Sequence, residues 1–492
     1  MCGIAGIISR EESIVPSLLQ ILENMQHRGQ ESAGIAVSSP PPKSKVFIER
    51  GRGEVWQAFF GKNMGLMRGY GGIGQVRYST LGSRTLENAQ PLKGYFKNKF
   101  PFAIVHQGNL INLASLRRLT GVGAADVSDT YLIARLIECC PLSNFEDALL
   151  ATAKALQGAF NIIALFDGKL YIVKDPWGFH PLQISINEST VSVASESCAF
   201  APSGQEALYD IVPGTFTLIA PENNYFYHWE KEDPHVDLFE FIYFLLPPSL
   251  VHGVEAGTAR YWMGKFLSAV YKGPDDTDTV VVPVADSGNQ AALGFWEGLE
   301  ERGWRASFRP WALFRSHSSN VRRTFIDPEP AERERKLRRK FNARPAELAG
   351  KTVILVDDSI VRGTTARFLV QILKEAGVRR VFGAIPSPMY LNPCLYGTNT
   401  FHKGERLIAR DHRGDLAKIR EEIGFDDLQY LELSSTIAAV QKAGEETRKK
   451  FFRIPSGFIS LRIHNFYTGP FSGDYPAGRG DFSSFPILSL PR

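Results

Sequence analysis

Along the first 230 or so residues, short apolar runs alternate with Gly, Asn and Asp turn signals. FAIVHQGNL, FNIIALF, KLYIVKD and TVSVASES read as strands. Two helices stand out among them. Over residues 16–26, Leu18, Leu19, Leu22 and Met25 share one apolar stripe, and Pro16 suits a first helical turn. A second helix is expected from about residue 128 to 139, with Asp129 near its start. This mixture predicts sheets packed face to face with helices outside.

From about Asp233 the pattern changes. VVVPVAD (280–286) precedes a helical segment through Leu299, and SFRPWALF reads as another strand. TVILVDD (352–358) leads into a helix over 364–376, followed by RRVFGAIP. Strands alternating with helices at this spacing predict a parallel, doubly wound sheet. Between them, 315–350 is basic and expected to be structureless, with the length of a functional lid. The Gly-, Pro- and Phe-rich end reads as an arm. The expected organisation is 2–232, 233–450 and an arm at 451–492.

Composition narrows the class. A chain of 492 residues, 44% hydrophobic and 22% charged, fits several globular domains and excludes a disordered or fibrous protein. The net charge of +4 and the lack of a polybasic tail argue against nucleic acid as a partner. No apolar run approaches the roughly 18–20 residues of a membrane span. MCGIAGIISREES turns acidic too soon for a signal peptide, so a cytoplasmic location is expected. The five cysteines, Cys2, Cys139, Cys140, Cys198 and Cys394, show no CxxC spacing, which argues against a disulfide scaffold. Cys139, Cys140 and Cys198 lie in apolar contexts and are expected to be buried structural residues.

The most specific chemical signal is VILVDDSIVRGTT (353–365). An apolar strand delivers Asp357 and Asp358 to its end, and Ser359, Gly363, Thr364 and Thr365 form a turn that opens a helix. Glycine and small hydroxyl residues let backbone N–H groups approach a phosphate at a helix amino terminus. The two carboxylates would meet sugar hydroxyls or the Mg²⁺ that accompanies a pyrophosphate. A second signal is Cys2. Removal of Met1 would place its thiol beside a free α-amine, whose ordinary pKa of about 7.7–8.0 makes it a built-in base.

The first segment resembles the 5-phosphoribosyl-1-pyrophosphate (PRPP) loop of type I phosphoribosyltransferases. The resemblance implies that Asp357 and Asp358 hold the ribose, while Ser359, Gly363, Thr364 and Thr365 hold the 5-phosphate. Asp286 and Ser287 match the family's turn near metal and pyrophosphate, so Ser287, Asp357 and Asp358 are the expected Mg²⁺ ligands. RTFIDPEPAERERKLRRKFNA (323–343) matches its flexible loop, with Lys340 and Asn342 at the substrate.

MCGIAGI, HRGQESAGIAV (27–37) and GQVRYST (74–80) resemble the class II glutamine amidotransferases, which are N-terminal-nucleophile (Ntn) hydrolases. The implied roles are Cys2 as nucleophile, Arg77 and Thr80 on the glutamine carboxylate, and Asp129 on its amine. Gln107 and the N–H of Gly108 would form the oxyanion hole. The implied fold is an α/β chain: an N-terminal αββα sandwich of Ntn-hydrolase type, then a doubly wound parallel-sheet phosphoribosyltransferase domain. The resemblance to enzymes joining both modules implies that ammonia from glutamine attacks C1 of PRPP, releasing pyrophosphate, at the first committed step of purine synthesis. It also implies purine nucleotide effectors and a homotetramer.

Several motif positions depart from those families. The oxyanion-hole Asn is Gln107, the histidine before VRY is Gln75, and His180 replaces an arginine. FLLPPS (244–249) lacks an arginine and an aspartate, and HSSNVRRTFI (317–326) lacks an Arg-Tyr pair. Four cysteines hold an iron–sulfur cluster in one branch; here those positions are Asp237, Cys394, Tyr467 and Pro470, so no cluster is expected. Three functions remain open from sequence: the glutamine-dependent enzyme, a divergent paralogue with impaired glutaminase that uses free ammonia or serves specialised metabolism, and a PRPP-binding non-enzymatic regulator.

Overall fold

The computed structural model describes the chain except residues 11–13, 40–44, 79–84, 125, 201–208, 276, 316–340, 399, 401–405, 451–464, 485–486 and 489–492. Thr80 and Lys340, and nearly all of the expected flexible loop, therefore lie outside the described residues.

Two antiparallel sheets form the first half. The seven-stranded sheet runs Tyr209–Asp210, Gln183–Ile186, Thr190–Ala194, Gly3–Ser9, Gly71–Arg77, Ser32–Ser38, Val46–Arg52. The six-stranded sheet runs Asn224–His228, Thr215–Ile219, Lys169–Lys174, Gly158–Phe166, Phe100–Leu110, Leu92–Phe96. Side chains of a strand alternate between faces, and here both faces are apolar. Ala5 and Ile7 pack under the helix Val15–Asn24 with Leu18, Ile21 and Leu22. Ile4 and Ile8 face the second sheet and meet Val105, Ile163 and Leu165. The outer face of that second sheet is covered by the helices Asp129–Cys139 and Phe145–Ala155, through Leu132, Ile137 and Leu149. The result is the expected helix–sheet–sheet–helix sandwich. Each buried Leu, Ile or Phe contributes on the order of 1.5–3 kcal/mol.

The second half is built on a five-stranded parallel sheet in the order Ser307–Phe308, Thr279–Pro283, Thr352–Val356, Arg380–Ile385, Asp427–Tyr430. On one face Val281, Ile354 and Ala384 meet the helices Ala256–Val270 and Asn289–Glu301. On the other, Val280, Val353 and Leu355 meet the helix Thr364–Glu375. Both faces are covered, as a parallel sheet requires. Among the described residues, no helix is long and apolar enough to cross a membrane.

Three expectations need correction. SFRPWALF is not one strand: Ser307–Phe308 joins the parallel sheet, whereas Leu313–Arg315 pairs with Phe341–Ala343 in a separate antiparallel ribbon. Pro310, which has no N–H to give a ladder, lies at the break. The stretch 315–350 is not structureless at its end, which holds that ribbon strand and the short helix Pro345–Leu348. Cys139 is exposed, and Cys140 and Cys198 are only half-buried. Leu132, Ile133 and Ile137 take the inner face of their helix, leaving Cys139 on the outer one beside Arg135, whose guanidinium lies 3.7 Å from its Sγ.

Candidate functional site

Cys2 immediately precedes the strand Gly3–Ser9, which is clamped between Gly71–Arg77 and Thr190–Ala194. Its Sγ lies 3.3 Å from the carbonyl of Tyr78 and accepts the N–H of Tyr78 at 3.4 Å. Burial pushes the thiol's pKa up. The positive amino terminus, the Tyr78 backbone and Arg77 act against that, and Asp129 adds to it. Arg77 and Asp129 are thus electrostatic neighbours of the thiol, and both are buried. Asp129 is placed by the start of its helix, where Ser128 caps the N–H of Tyr131. Burial alone would raise its carboxyl, but His106, the N–H of Thr130 and Arg77 hold it below the usual range. Its Oδ2 is buried and has no hydrogen-bond partner among the described residues.

Gln107 and Gly108 lie within Phe100–Leu110. Gly108 has φ +140, and a Cβ there would sit 2.1 Å from the carbonyl oxygen of Ala159, so only glycine fits. Gln107 is fully buried; its Oε1 accepts the hydroxyl of Ser195 at 2.6 Å. Its Nε2 has no partner among the described residues. Gln75, on the facing sheet, gives its Nε2 to the carbonyl of His106 at 2.7 Å.

In the second half, Thr352–Val356 ends at Asp357 and Asp358, both buried. The N–H of Asp358 donates to Asp357 Oδ1 (2.9 Å), and Ser359 Oγ to Asp358 Oδ1 (2.6 Å). Burial pushes the Asp358 carboxyl up, opposed by hydrogen bonds from Ser287 and Ser359 and by the charge of Arg260. Ser287 is therefore brought to Asp358. Gly363, at φ +77, turns the chain into the helix that Thr364 and Thr365 open, whose first N–H groups have no intrahelical acceptors. Asp286 pairs with Arg315 at 2.8 Å. Arg315 belongs to the ribbon that carries exposed Asn342, so that ribbon abuts the turn before Ser287. Two carboxylates and a hydroxyl are hard oxygen donors, which suit Mg²⁺ completed by water and phosphate oxygens. Among the described residues, no group of three or more His, Cys, Asp and Glu side chains is arranged to hold a metal ion.

A buried charge knot joins the halves. Arg28, 0% exposed, donates to Glu196, to Glu240 (2.7 Å) and, through Nε, to the carbonyl of Cys2 (3.1 Å). Glu196 also receives His27 (2.7 Å), the Ser249 hydroxyl (2.7 Å) and the N–H of Leu246 (3.0 Å). Burial disfavours both carboxylates, yet Arg28 with His27 holds Glu196, and Arg28 with His180 holds Glu240, below the usual range. Glu240 begins the wide helical turn Glu240–Phe244. Arg260 caps this segment by donating to the carbonyls of Phe241, Ile242 and Leu245. None of Arg28, Glu196, Glu240, Arg260 or Ser195 was picked out from sequence, although Arg28 lies inside the HRGQ motif.

Residues 77–202 match the family model described as a glutamine amidotransferase domain. An amidophosphoribosyltransferase of Methanocaldococcus jannaschii is 36% identical over 464 residues, spanning 89% of this chain and 94% of that protein. The Bacillus subtilis amidophosphoribosyltransferase is 34% identical over 451 residues, 91% of each. The chain belongs to the amidophosphoribosyltransferase family. Its fold resembles the glutamine PRPP amidotransferase of B. subtilis complexed with ADP and GMP, with TM-score 0.82, 31% identity and 99% of each chain covered. A second solved structure, described as the allosteric regulatory enzyme of purine biosynthesis, gives the same score and identity over 98% of this chain and 99% of that one.

The four positions that the sequence resemblance matches to cluster cysteines are Asp237, Cys394, Tyr467 and Pro470. They do converge. Asp237 pairs in register with Tyr467, Tyr467 donates its hydroxyl to Cys394 Sγ (3.5 Å), and Pro470 O accepts the N–H groups of Leu391 and Asn392 (both 2.8 Å). One thiol, a carboxyl, a phenol and a proline do not fit a cubane cluster, which needs four thiolates or close substitutes. Aromatic packing fills this region instead, with Tyr467 against Tyr396 (4.7 Å) and Phe179 (5.4 Å).

Proposed function

We propose that this chain converts glutamine, PRPP and water to 5-phosphoribosylamine, glutamate and pyrophosphate, the first committed step of purine synthesis. The observation that carries the reading is a pair of buried groups without hydrogen-bond partners among the described residues, Gln107 Nε2 and Asp129 Oδ2, in the half that also holds buried Arg77 and half-buried Cys2. A buried donor and a buried acceptor without partners cost free energy unless a ligand meets them.

With Met1 removed, the α-amine of Cys2 takes the thiol proton and the thiolate attacks the glutamine carboxamide carbon. Arg77 and Thr80 hold the substrate carboxylate, and Asp129 its ammonium. Gln107 Nε2 and the Gly108 N–H stabilise the oxyanion. The amine returns the proton to the departing ammonia, and water then hydrolyses the thioester to glutamate. At the second site, Asp357 and Asp358 hold the ribose, and Ser359, Gly363, Thr364 and Thr365 hold the 5-phosphate. Lys340 and Asn342 contact the substrate while ammonia attacks C1 and pyrophosphate leaves. Ser287, Asp357 and Asp358 would hold Mg²⁺, which neutralises charge on the pyrophosphate. A cytoplasmic homotetramer responding to purine nucleotides belongs to the same reading. The relative complexed with ADP and GMP supports the last point.

The test measures glutamate release and PRPP-dependent pyrophosphate release, first with glutamine and then with an ammonium salt. Both nitrogen sources should support turnover, and Cys2→Ser should abolish only the glutamine-dependent reaction. Pyrophosphate with ammonium alone would point to a free-ammonia enzyme. PRPP binding without turnover would point to a regulator.

A further inference from the structure

Ser195 and Glu196 follow the strand Thr190–Ala194, are fully buried, and take no part in the mechanism above. Ser195 is pinned to the second residue after Cys2: its N–H donates to the carbonyl of Ile4 (3.1 Å), and its Oγ accepts the N–H of Ile4 (3.0 Å). The same Oγ lies 2.6 Å from Gln107 Oε1. That separation suits an O–H···O bond in which the serine hydroxyl donates to the amide oxygen. The hydroxyl's single proton goes to Gln107, leaving the buried Nε2 as the amide's open donor. The next residue, Glu196, grips Arg28, and Arg28 grips the carbonyl of Cys2. One dipeptide thus indexes both the amide and the nucleophile to the same strand.

We propose that Ser195 is a positioning residue for glutamine hydrolysis: its hydroxyl takes the oxygen of Gln107 so that the side chain presents its NH₂ to the oxyanion. This rests on the reading of Gln107 as the oxyanion donor. A glutamine has one more rotatable bond than the asparagine of related enzymes, and an unanchored amide turns its oxygen toward the anion part of the time. The Ser195 contact removes that freedom. It also accounts for how a longer side chain is accommodated at a site that tolerates little displacement.

The experiment uses the full-length protein and four variants, with ammonium-dependent pyrophosphate release as the internal control. Ser195→Ala should lower kcat for glutamine hydrolysis about tenfold, less than the hundred- to thousandfold typical of losing the donor itself. Its KM for glutamine and its ammonium-dependent rate should not change. Ser195→Thr, which keeps the hydroxyl, should restore kcat. Gln107→Met should lose about a hundredfold or more, and adding Ser195→Ala to it should cost nothing further. An equal fall in both activities of Ser195→Ala, a defect in Ser195→Thr as large as in Ser195→Ala, or a multiplying effect in the double variant would overturn the positioning role. A Gln107→Met variant that still hydrolyses glutamine at the parent rate would instead sink the assignment of Gln107, whatever Ser195 does.

Discussion

Asp237 offers a direct test of the electrostatics at the junction between the halves. It is 0% exposed; its Oδ1 accepts the N–H of Phe239 at 3.0 Å, and its Oδ2 has no partner among the described residues. Burial pushes its carboxyl up to about 7, opposed by His180 and Arg28 and reinforced by Glu240. The folded state therefore prefers the neutral acid. Stability from this group is fullest below the ordinary aspartate pKa of about 3.9 and is lost as pH rises through about 7. Three pH units at 1.36 kcal/mol each amount to about 4 kcal/mol. Asp237→Asn removes the titration but introduces a buried N–H donor without a partner, at a cost of about 1–3 kcal/mol. The variant should be the more stable protein at pH 8. Between pH 5.5 and pH 8 the difference should move in its favour by about 2 kcal/mol. Guanidinium unfolding at both pH values reads this out. A stability difference that stays constant between them would refute the argument, because a group neutral or charged throughout cannot produce the shift.

Two further outcomes follow from geometry. Arg28→Met leaves Glu196 and Glu240 buried without their shared guanidinium and should cost about 3–5 kcal/mol, read as a lower denaturation midpoint; an unchanged midpoint would contradict the knot. Gly363→Ala places a Cβ 2.6 Å from Ile408 Cδ1 at φ +77, which costs about 1–2 kcal/mol of backbone strain. The KM for PRPP should rise about five- to tenfold in ammonium-dependent pyrophosphate release, and a KM equal to the parent's would count against a phosphate-holding turn.

The layered architecture was legible because it is written in alternation. Ile4 and Ile8 face one layer, Ala5 and Ile7 the other, and an apolar residue on each face demands a partner on each side. The helix beginning at Asp129 was legible to within a residue, with Asp129 near its start. What escaped depends on contacts made far apart in the chain. Arg28 meets Glu196 and Glu240 across 168 and 212 positions, and no local period announces such a pair. Ser195 reads as one more small residue in a strand-like run until folding sets it 2.6 Å from Gln107. Cys139 misled for a different reason: an apolar neighbourhood in sequence does not say which face of a helix a residue takes.

The charge knot has a consequence for cooperativity. Arg28, His180 and Glu196 come from the sandwich; Glu240, Ser249 and the N–H of Leu246 come from the chain leading into the parallel sheet. Prising the halves apart would leave Glu240 without Arg28 and His180, and would strip Glu196 of two donors. A carboxylate left that way must hydrate or take up a proton, so partly opened states lie several kcal/mol above the closed one. The two halves should melt in a single transition, and a sandwich expressed alone would carry an interior surface it cannot satisfy. The knot therefore ties the two halves by thermodynamics as well as by the chain, because opening the junction exposes charges it cannot satisfy.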